Sequence, residues 1–265
     1  MMRWITGIFG GAGVIFVFLF CPKEWVQFGI VILSMLGLWE YFNLTQKGVS
    51  LFIRVTGVLF CGAGSFTLIF VAITPDHFLT LFAGLIILTF VLHMRGTEDW
   101  PARIKSMALF YFGIMYLSLL FSYWGWILNL ENWKFWIFLL LGGTFLSDTG
   151  GYLFGRWFGK HKLAPHLSPG KTIEGVLGGW FVALIAAFAV RNIFWPDYPS
   201  TPLLVIGTLI AFIGPLGDLS ESMIKRGVNV KDSGNLIPGH GGLLDRVDAL
   251  LFTGPVVYYF AKYFS

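Results

Sequence analysis

Apolar residues along this chain come in long blocks, with short polar hinges between them. A helix that crosses the ~30 Å hydrocarbon layer of a bilayer needs about 20 residues. Nine blocks approach that length: Ile5–Phe20, Val26–Leu44, Leu51–Ile73, Phe78–His93, Ile104–Leu128, Trp133–Phe154, Gly175–Trp195, Leu203–Asp218 and Val247–Phe264. The first, fourth and eighth are the shortest. Hinges such as Thr74-Pro75-Asp76 and Trp195-Pro196-Asp197 carry ordinary helix-breaking residues. The pattern predicts an all-α, polytopic integral membrane protein of about nine transmembrane helices.

Composition excludes the other classes. The 265 residues are 56% apolar and 12% charged, with a mean hydropathy of +0.76. Soluble chains are about 25% charged, and a core of this size could not hide so much apolar surface from water. A soluble enzyme, a disordered chain and a disulfide scaffold are all ruled out. The 28 Phe, 11 Trp and 33 Gly agree with a membrane protein. Cys21 and Cys61 lie far apart in apolar surroundings and suggest neither metal nor redox chemistry.

Arg3 followed by an apolar run has the outline of a signal peptide. Cys21-Pro22-Lys23-Glu24 offers no small-residue cleavage site, however, and a second span follows closely, so the first block is expected to be retained as a helix. Lys and Arg collect on the cytoplasmic side of membrane proteins. With the N-terminus cytoplasmic, fourteen of the eighteen fall on that face. The longest polar segments, about 156–174 and 219–246, then share it. The expected organisation is one membrane unit: residues 1–130 form an N-terminal group of helices, and residues 131–265 form a C-terminal group carrying the chemistry.

Acidic residues of the first half are scattered: Glu24, Glu40, Asp76, Glu98, Asp99 and Glu131. Nearly all of those from Asp148 onward gather at the inner ends of spans, and an ionisable group at membrane depth is costly enough to mark function by default. Asp218, Glu221, Ser222 and Lys225 have i, i+3, i+4, i+7 spacing. If the eighth span continues as a helix beyond the membrane edge, they share one face. Asp245 and Asp248 share a face at the start of the ninth. Between them run Lys225-Arg226, Lys231-Asp232-Ser233-Gly234 and Pro238-Gly239-His240-Gly241-Gly242, whose glycines let backbone N–H groups approach an anion. Carboxylates, cations and Gly-rich backbone together suit nucleoside triphosphate chemistry. Mg²⁺ takes oxygen ligands from one or two carboxylates and substrate phosphates, and Lys and Arg neutralise the remainder.

A second constellation lies upstream. Asp148, after a mostly apolar run, needs a partner or a metal. Gly151 and Gly155 have the small-xxx-small spacing that permits close helix approach. In Leu167–Gly175, Ser168 is read as the cap of a helix begun by Pro169, with Lys171 in its first turns, where anions bind. Gly170-Lys171-Thr172 has the end of a P-loop, but position 165 is Pro where that loop needs Gly, and no strand is expected before it. His240 fits a phosphate donor, a base or a loop-locking residue, with phosphate or loop support fitting best. The other histidines, His77, His93, His161 and His166, show no ligand spacing.

The 27 residues Ser222–Asp248 resemble, without a gap, the defining motif of the phosphatidate cytidylyltransferase (CDP-diacylglycerol synthase) family. Ser147-Asp148-Thr149-Gly150, Gly155-Arg156, Gly159-Lys160, Ser168–Gly175 and Gly217–Ser222 are similar to that family too. Gly170, where a basic residue is expected, and Ile173, where an aromatic is common, depart from its pattern. The likeness covers roughly the C-terminal half.

The resemblance implies a Mg²⁺-dependent nucleotidyltransferase of phospholipid biosynthesis, with a second cation alongside the first. CTP and phosphatidate would give CDP-diacylglycerol and pyrophosphate at the cytoplasmic face of the inner membrane. Asp218 and Asp248 would be the primary metal ligands, Asp245 and Asp148 helpers, and Glu221 and Ser222 second choices. Lys225, Arg226, Lys171, His240 and Arg246 would hold phosphates, with Lys231, Gly241 and Gly242 beside them. Membrane lipid and a second copy of the chain are expected partners, and nucleic acid is not. The alternatives are a CTP-dependent kinase of a polyprenol-type lipid alcohol and, from another class, a secondary transporter. The one-sided carboxylates and the lack of an inverted repeat count against the transporter.

Overall fold

The computed structural model of the chain describes residues 2–71, 75–94, 99–234 and 241–264. The described residues form nine helices and one small hairpin: α1 (Met2–Phe20), α2 (Lys23–Thr45), α3 (Leu51–Phe70), α4 (Pro75–His93), α5 (Trp100–Ile127), α6 (Trp133–Phe158), β1 (Lys162–Ala164), β2 (Ser168–Thr172), α7 (Ile173–Phe194), α8 (Ser200–Gly227) and α9 (Leu244–Phe264). Each expected span coincides with a helix. Six of them, α2, α3 and α5 to α8, are long and apolar enough by themselves to cross a membrane. The described parts of α1 and α4 hold shorter apolar helices, Gly10–Phe20 and Leu79–His93. The first turns of α9 carry Asp245, Arg246 and Asp248.

Local chemistry sets several helix ends. Ser50 caps α3, its Oγ accepting from the Ile53 N–H at 3.4 Å. Pro sits at the start of α5, where its missing N–H costs nothing. Asn132 turns the chain into α6 with φ 51°, a left-handed conformation that Asn tolerates.

Two packing groups result. α2, α3 and α5 pack on one another, and α6 to α9 form a second group. α5 and α9 join the two, with a smaller contact between α2 and α9. The core runs through Phe110, Ile114, Leu117 and Phe121 of α5 to Phe135, Trp136, Leu139 and Leu140 of α6. Large apolar side chains also cover the outside, among them Ile32, Phe90, Phe181, Ile185 and Phe212. Such a surface is stable only against lipid: the protein is a polytopic membrane protein.

Glycine sets the helix spacing around the polar end of the second group. On α7, a Cβ at Gly175 would lie 2.7 Å from the Gly151 carbonyl oxygen, and one at Gly179 would lie 2.7 Å from that of Ser147. α6 and α7 therefore touch backbone to backbone, the close approach expected from Gly151 and Gly155. On α8, a Cβ at Gly217 would strike the Asp248 carbonyl and lie 2.9 Å from Ala249 Cα. This contact brings the Asp218 turn of α8 against the Asp248 turn of α9.

One expectation fails. Ser168 does not cap a helix at Pro169. Residues 168–172 form β2, paired antiparallel with β1, and Gly170-Lys171-Thr172 lies within that strand. The helix begins at Ile173, where the Thr172 hydroxyl accepts the Gly175 N–H at 3.1 Å. Glu174 fastens the hairpin base by accepting from the Lys160 N–H at 3.0 Å, the His161 N–H at 3.2 Å and the His161 ring at 2.6 Å. These non-local bonds give the backbone an alternative to the helix that Pro169 would otherwise start.

Candidate active site

A cavity of about 620 Å³ opens where the ends of α6, α7, α8 and α9 meet the hairpin. Its wall carries Asp148 from α6, Lys171 from β2, Asp218 and Lys225 from α8, and Asp245 and Asp248 from α9. Six candidates, spread over about a hundred residues of sequence, thus line one chamber. Arg156, Lys162 and Ser168 line it as well. Gly151, Gly155, Gly175, Gly179, Ala211 and Pro215 add small residues and proline to the wall.

α8 runs unbroken to Gly227, so Asp218, Glu221, Ser222 and Lys225 do share a face. Their roles differ. Asp218 Oδ2 meets Lys171 Nζ at 2.7 Å, and its Oδ1 accepts from the Ser222 hydroxyl at 3.3 Å. Lys171 also reaches the Pro215 carbonyl at 3.4 Å. Asp248 Oδ1 accepts the Ala249 N–H at 2.8 Å. Among the described residues, neither Asp148 nor Asp248 belongs to an ion pair.

Asp245, Glu221 and Lys225 form a network. Lys225 Nζ, buried, lies 2.5 Å from Glu221 Oε2 and 2.6 Å from Asp245 Oδ1. Asp245 Oδ2 accepts the Ser233 and Gly242 N–H groups, each at 2.9 Å, and faces the Ser233 hydroxyl at 2.9 Å. Asp245, an expected helper at the metal, thus ties the Ser233 and Gly242 backbone to Lys225, and Glu221, a second choice, pairs with Lys225 along α8. The Gly242 N–H, expected to face an anion, is donated to Asp245. Gly241 has φ +80°, and a Cβ there would lie 2.9 Å from Asp245 Oδ2, so this turn requires glycine.

The remaining candidates lie off the cavity wall. Glu221 and Ser222 back Asp218 and Lys225. Arg226 is exposed and donates to the Val230 carbonyl at 3.0 Å, closing the end of α8. Lys231 and Arg246 are also exposed. His240 falls outside the described residues. Arg156 and Lys162 on the wall, and Glu40 of α2 behind it, were not among the expected site residues. Glu40 had a signal, since it is a lone carboxylate in an apolar span.

The donor set suits Mg²⁺. Asp148, Asp218 and Asp248 present hard oxygen ligands to a shared chamber, two of them without an ion pair. Among the described residues, no three or more acidic, His or Cys side chains are grouped closely enough to hold an ion alone. Mg²⁺ ordinarily completes its shell with water and substrate phosphate, so this arrangement fits an ion bound together with nucleotide.

The fold and site define a membrane-embedded protein with a cavity that gathers carboxylates and cations. The chain belongs to the cytidylyltransferase family, which it matches over residues 1–264, well beyond the half in which the motifs lie. It is 31% identical to a phosphatidate cytidylyltransferase of Bacillus subtilis across 99% of this chain and 98% of that protein. A phosphatidate cytidylyltransferase of Synechocystis sp. is 33% identical across 97% of this chain and 95% of its own. One from Staphylococcus aureus reaches 47% identity over 43% of this chain and 44% of that protein.

Proposed function

We propose that this protein transfers the cytidylyl group of CTP to phosphatidate, giving CDP-diacylglycerol and pyrophosphate for phospholipid synthesis. The observation that carries the reading is the shared cavity: four acidic side chains, Asp148, Asp218, Asp245 and Asp248, line it together with Lys171, Lys162 and Arg156, in a chain related from end to end to phosphatidate cytidylyltransferases.

A phosphate oxygen of phosphatidate attacks the α-phosphorus of CTP. A new P–O bond forms, the bond from the α-phosphorus to the α,β-bridging oxygen breaks, and pyrophosphate leaves with that electron pair. The attacking phosphate is already ionised, so no side chain need serve as base. The difficulty is bringing one anion onto another, and the enzyme's contribution is positioning and charge compensation. Lys171, Lys162 and Arg156 take the phosphate charge on the hairpin side of the cavity. Lys171 is released for this as phosphate competes with Asp218 for its ammonium. Asp148, Asp218 and Asp248 would hold Mg²⁺, which neutralises and orients phosphate oxygens when bound. Lys225 keeps the α8 and α9 turns together beneath them.

The site faces the cytoplasm in this reading, with the N-terminus on the same side. Support comes from the Lys and Arg distribution and from the substrates: CTP is in the cytosol and phosphatidate is in the bilayer. The small-residue wall between α6, α7 and α8 suits lateral entry of a lipid.

Purified protein incubated with phosphatidate, Mg²⁺ and CTP labelled separately at the α- and γ-phosphates tests the reaction. The expected result is α-label in lipid and γ-label in pyrophosphate. γ-Label in lipid together with free CDP overturns it in favour of a lipid kinase.

A further inference from the structure

α2 belongs to the half of the chain that carries none of the motifs, and Glu40 is an acidic residue in the last turns of its apolar sequence. The side chain is buried, at 6% exposure, and it belongs to none of the ion pairs among the described residues. A carboxylate so placed must be satisfied by hydrogen-bond donors. Those donors come from the motif segment. The Ser233 hydroxyl donates to Oε1, the Leu243 N–H to Oε2 at 2.7 Å, and the Leu244 N–H to Oε1 at 3.3 Å. The fit leaves no spare room. A Cβ on Gly242 would collide with Glu40 Oε1 and Ser233 Oγ, and one on Gly234 would lie 3.1 Å from Glu40 Cδ.

Leu244 opens α9, so its N–H has no carbonyl within the helix to reach. Glu40 does for α9 what an N-cap side chain does for its own helix, but from another helix, and it brings negative charge to the positive end of the helix dipole. It also holds Ser233. Ser233 Oγ stands between Glu40 Oε1 and Asp245 Oδ2, and its single proton serves one of them at a time. Both ends of the segment from Ser233 to Leu244 are therefore tied to one carboxylate of α2. Asp245 and Asp248 sit one and four residues beyond Leu244.

We propose that Glu40 is a positioning residue for the transfer reaction, setting the depth and rotation of the first turn of α9 and hence of Asp248. The proposal rests on the reading of Asp248 as part of the active site. It gives the N-terminal helices a definite part in the chemistry, as the anchor against which the catalytic end of α9 is held.

The test is made on the full chain in detergent. Glu40→Gln keeps the side-chain size but replaces one acceptor oxygen with a donor, facing groups that themselves donate. Amide exchange in peptides covering residues 241–247 is expected to accelerate about tenfold or more, while α6 and α7 keep their protection. The kcat should fall about 10- to 100-fold, the range seen when residues that orient catalytic ligands are lost, with the CTP KM changing less. Glu40→Asp, which retains the charge, should recover part of both losses, and it carries the same readouts should the Gln protein fail to fold. Unchanged exchange at 241–247, or wild-type kcat in a protein that merely melts earlier, overturns the proposal. Asp248→Asn separates this from the site reading. Full activity there removes the site itself. An inactive Asp248→Asn protein beside a fully active Glu40→Gln protein removes only the role of Glu40.

Discussion

Acidic side chains that look equivalent along the chain divide into two kinds once their partners are known. Asp148, Asp218 and Asp248 line the cavity without pairing with Lys225, while Asp245, which lines it too, and the buried Glu221 both pair with Lys225. The two groups should respond differently to substitution. Asp218→Asn and Asp248→Asn are each expected to lower kcat by at least about 10²-fold, with thermal unfolding in detergent close to wild type. Near-normal turnover in either variant would remove that residue from the site. Lys225→Met should instead unfold earlier, because removing the cation strands the buried Glu221 carboxylate and takes one partner from Asp245, at a cost of about 3–5 kcal/mol. Adding Glu221→Gln to Lys225→Met should recover part of that loss. A Lys225→Met protein of unchanged stability, defective only in its CTP requirement, would mark Lys225 as a phosphate ligand rather than a strut.

Among the elements, the helices could be read from the sequence and the hairpin could not. Span length and hydropathy are local, and each apolar block forms a helix because a bilayer leaves no other partner for its backbone. The 162–172 segment depends on bonds between its base and Glu174 at the start of α7, so short-range signals pointed to a helix cap instead. The junction of α6 and α7 is equally a matter of fit. Gly179→Val should separate them, since a Cβ at 179 would already lie 2.7 Å from the Ser147 carbonyl. Overpacking of this kind costs about 1–3 kcal/mol. A lowered unfolding midpoint is the expected outcome, along with lost activity, because Asp148 follows Ser147. Gly170→Ala, which meets nothing within 4 Å, is the control expected to leave stability unchanged.

At the scale of the whole molecule, the polar chemistry is confined to one end of a bundle whose sides are apolar. α7 joins the two ends: the hairpin precedes it, and the Pro196-Asp197 turn follows it. At ~1.5 Å per residue its 22 residues span about 33 Å. In a background lacking Cys21 and Cys61, a single cysteine at exposed His166 should react with an impermeant thiol reagent only from the cytoplasmic side. One at exposed Asp197 should react only from the opposite side. Reversed labelling would place the cavity on the wrong face for CTP and overturn the orientation.

The order of residues alone is enough to read the membrane class, the helical spans and the region in which the chemistry would lie. These follow from hydropathy and from the cost of charge near lipid, both of which are properties of short stretches of chain. It also held the family motif, whose residue types announce phosphate and metal chemistry without showing which side chains meet. The packing of the helices is what brings Asp148, Asp218, Asp245 and Asp248 to one cavity, pairs Asp245 with Lys225, and sets Glu40 against a helix start 203 residues further on. Those outcomes depend on which donors surround each carboxylate in space. The backbone brings such donors together from distant helices through close contacts such as Gly217 on Asp248, and no local pattern encodes that pairing.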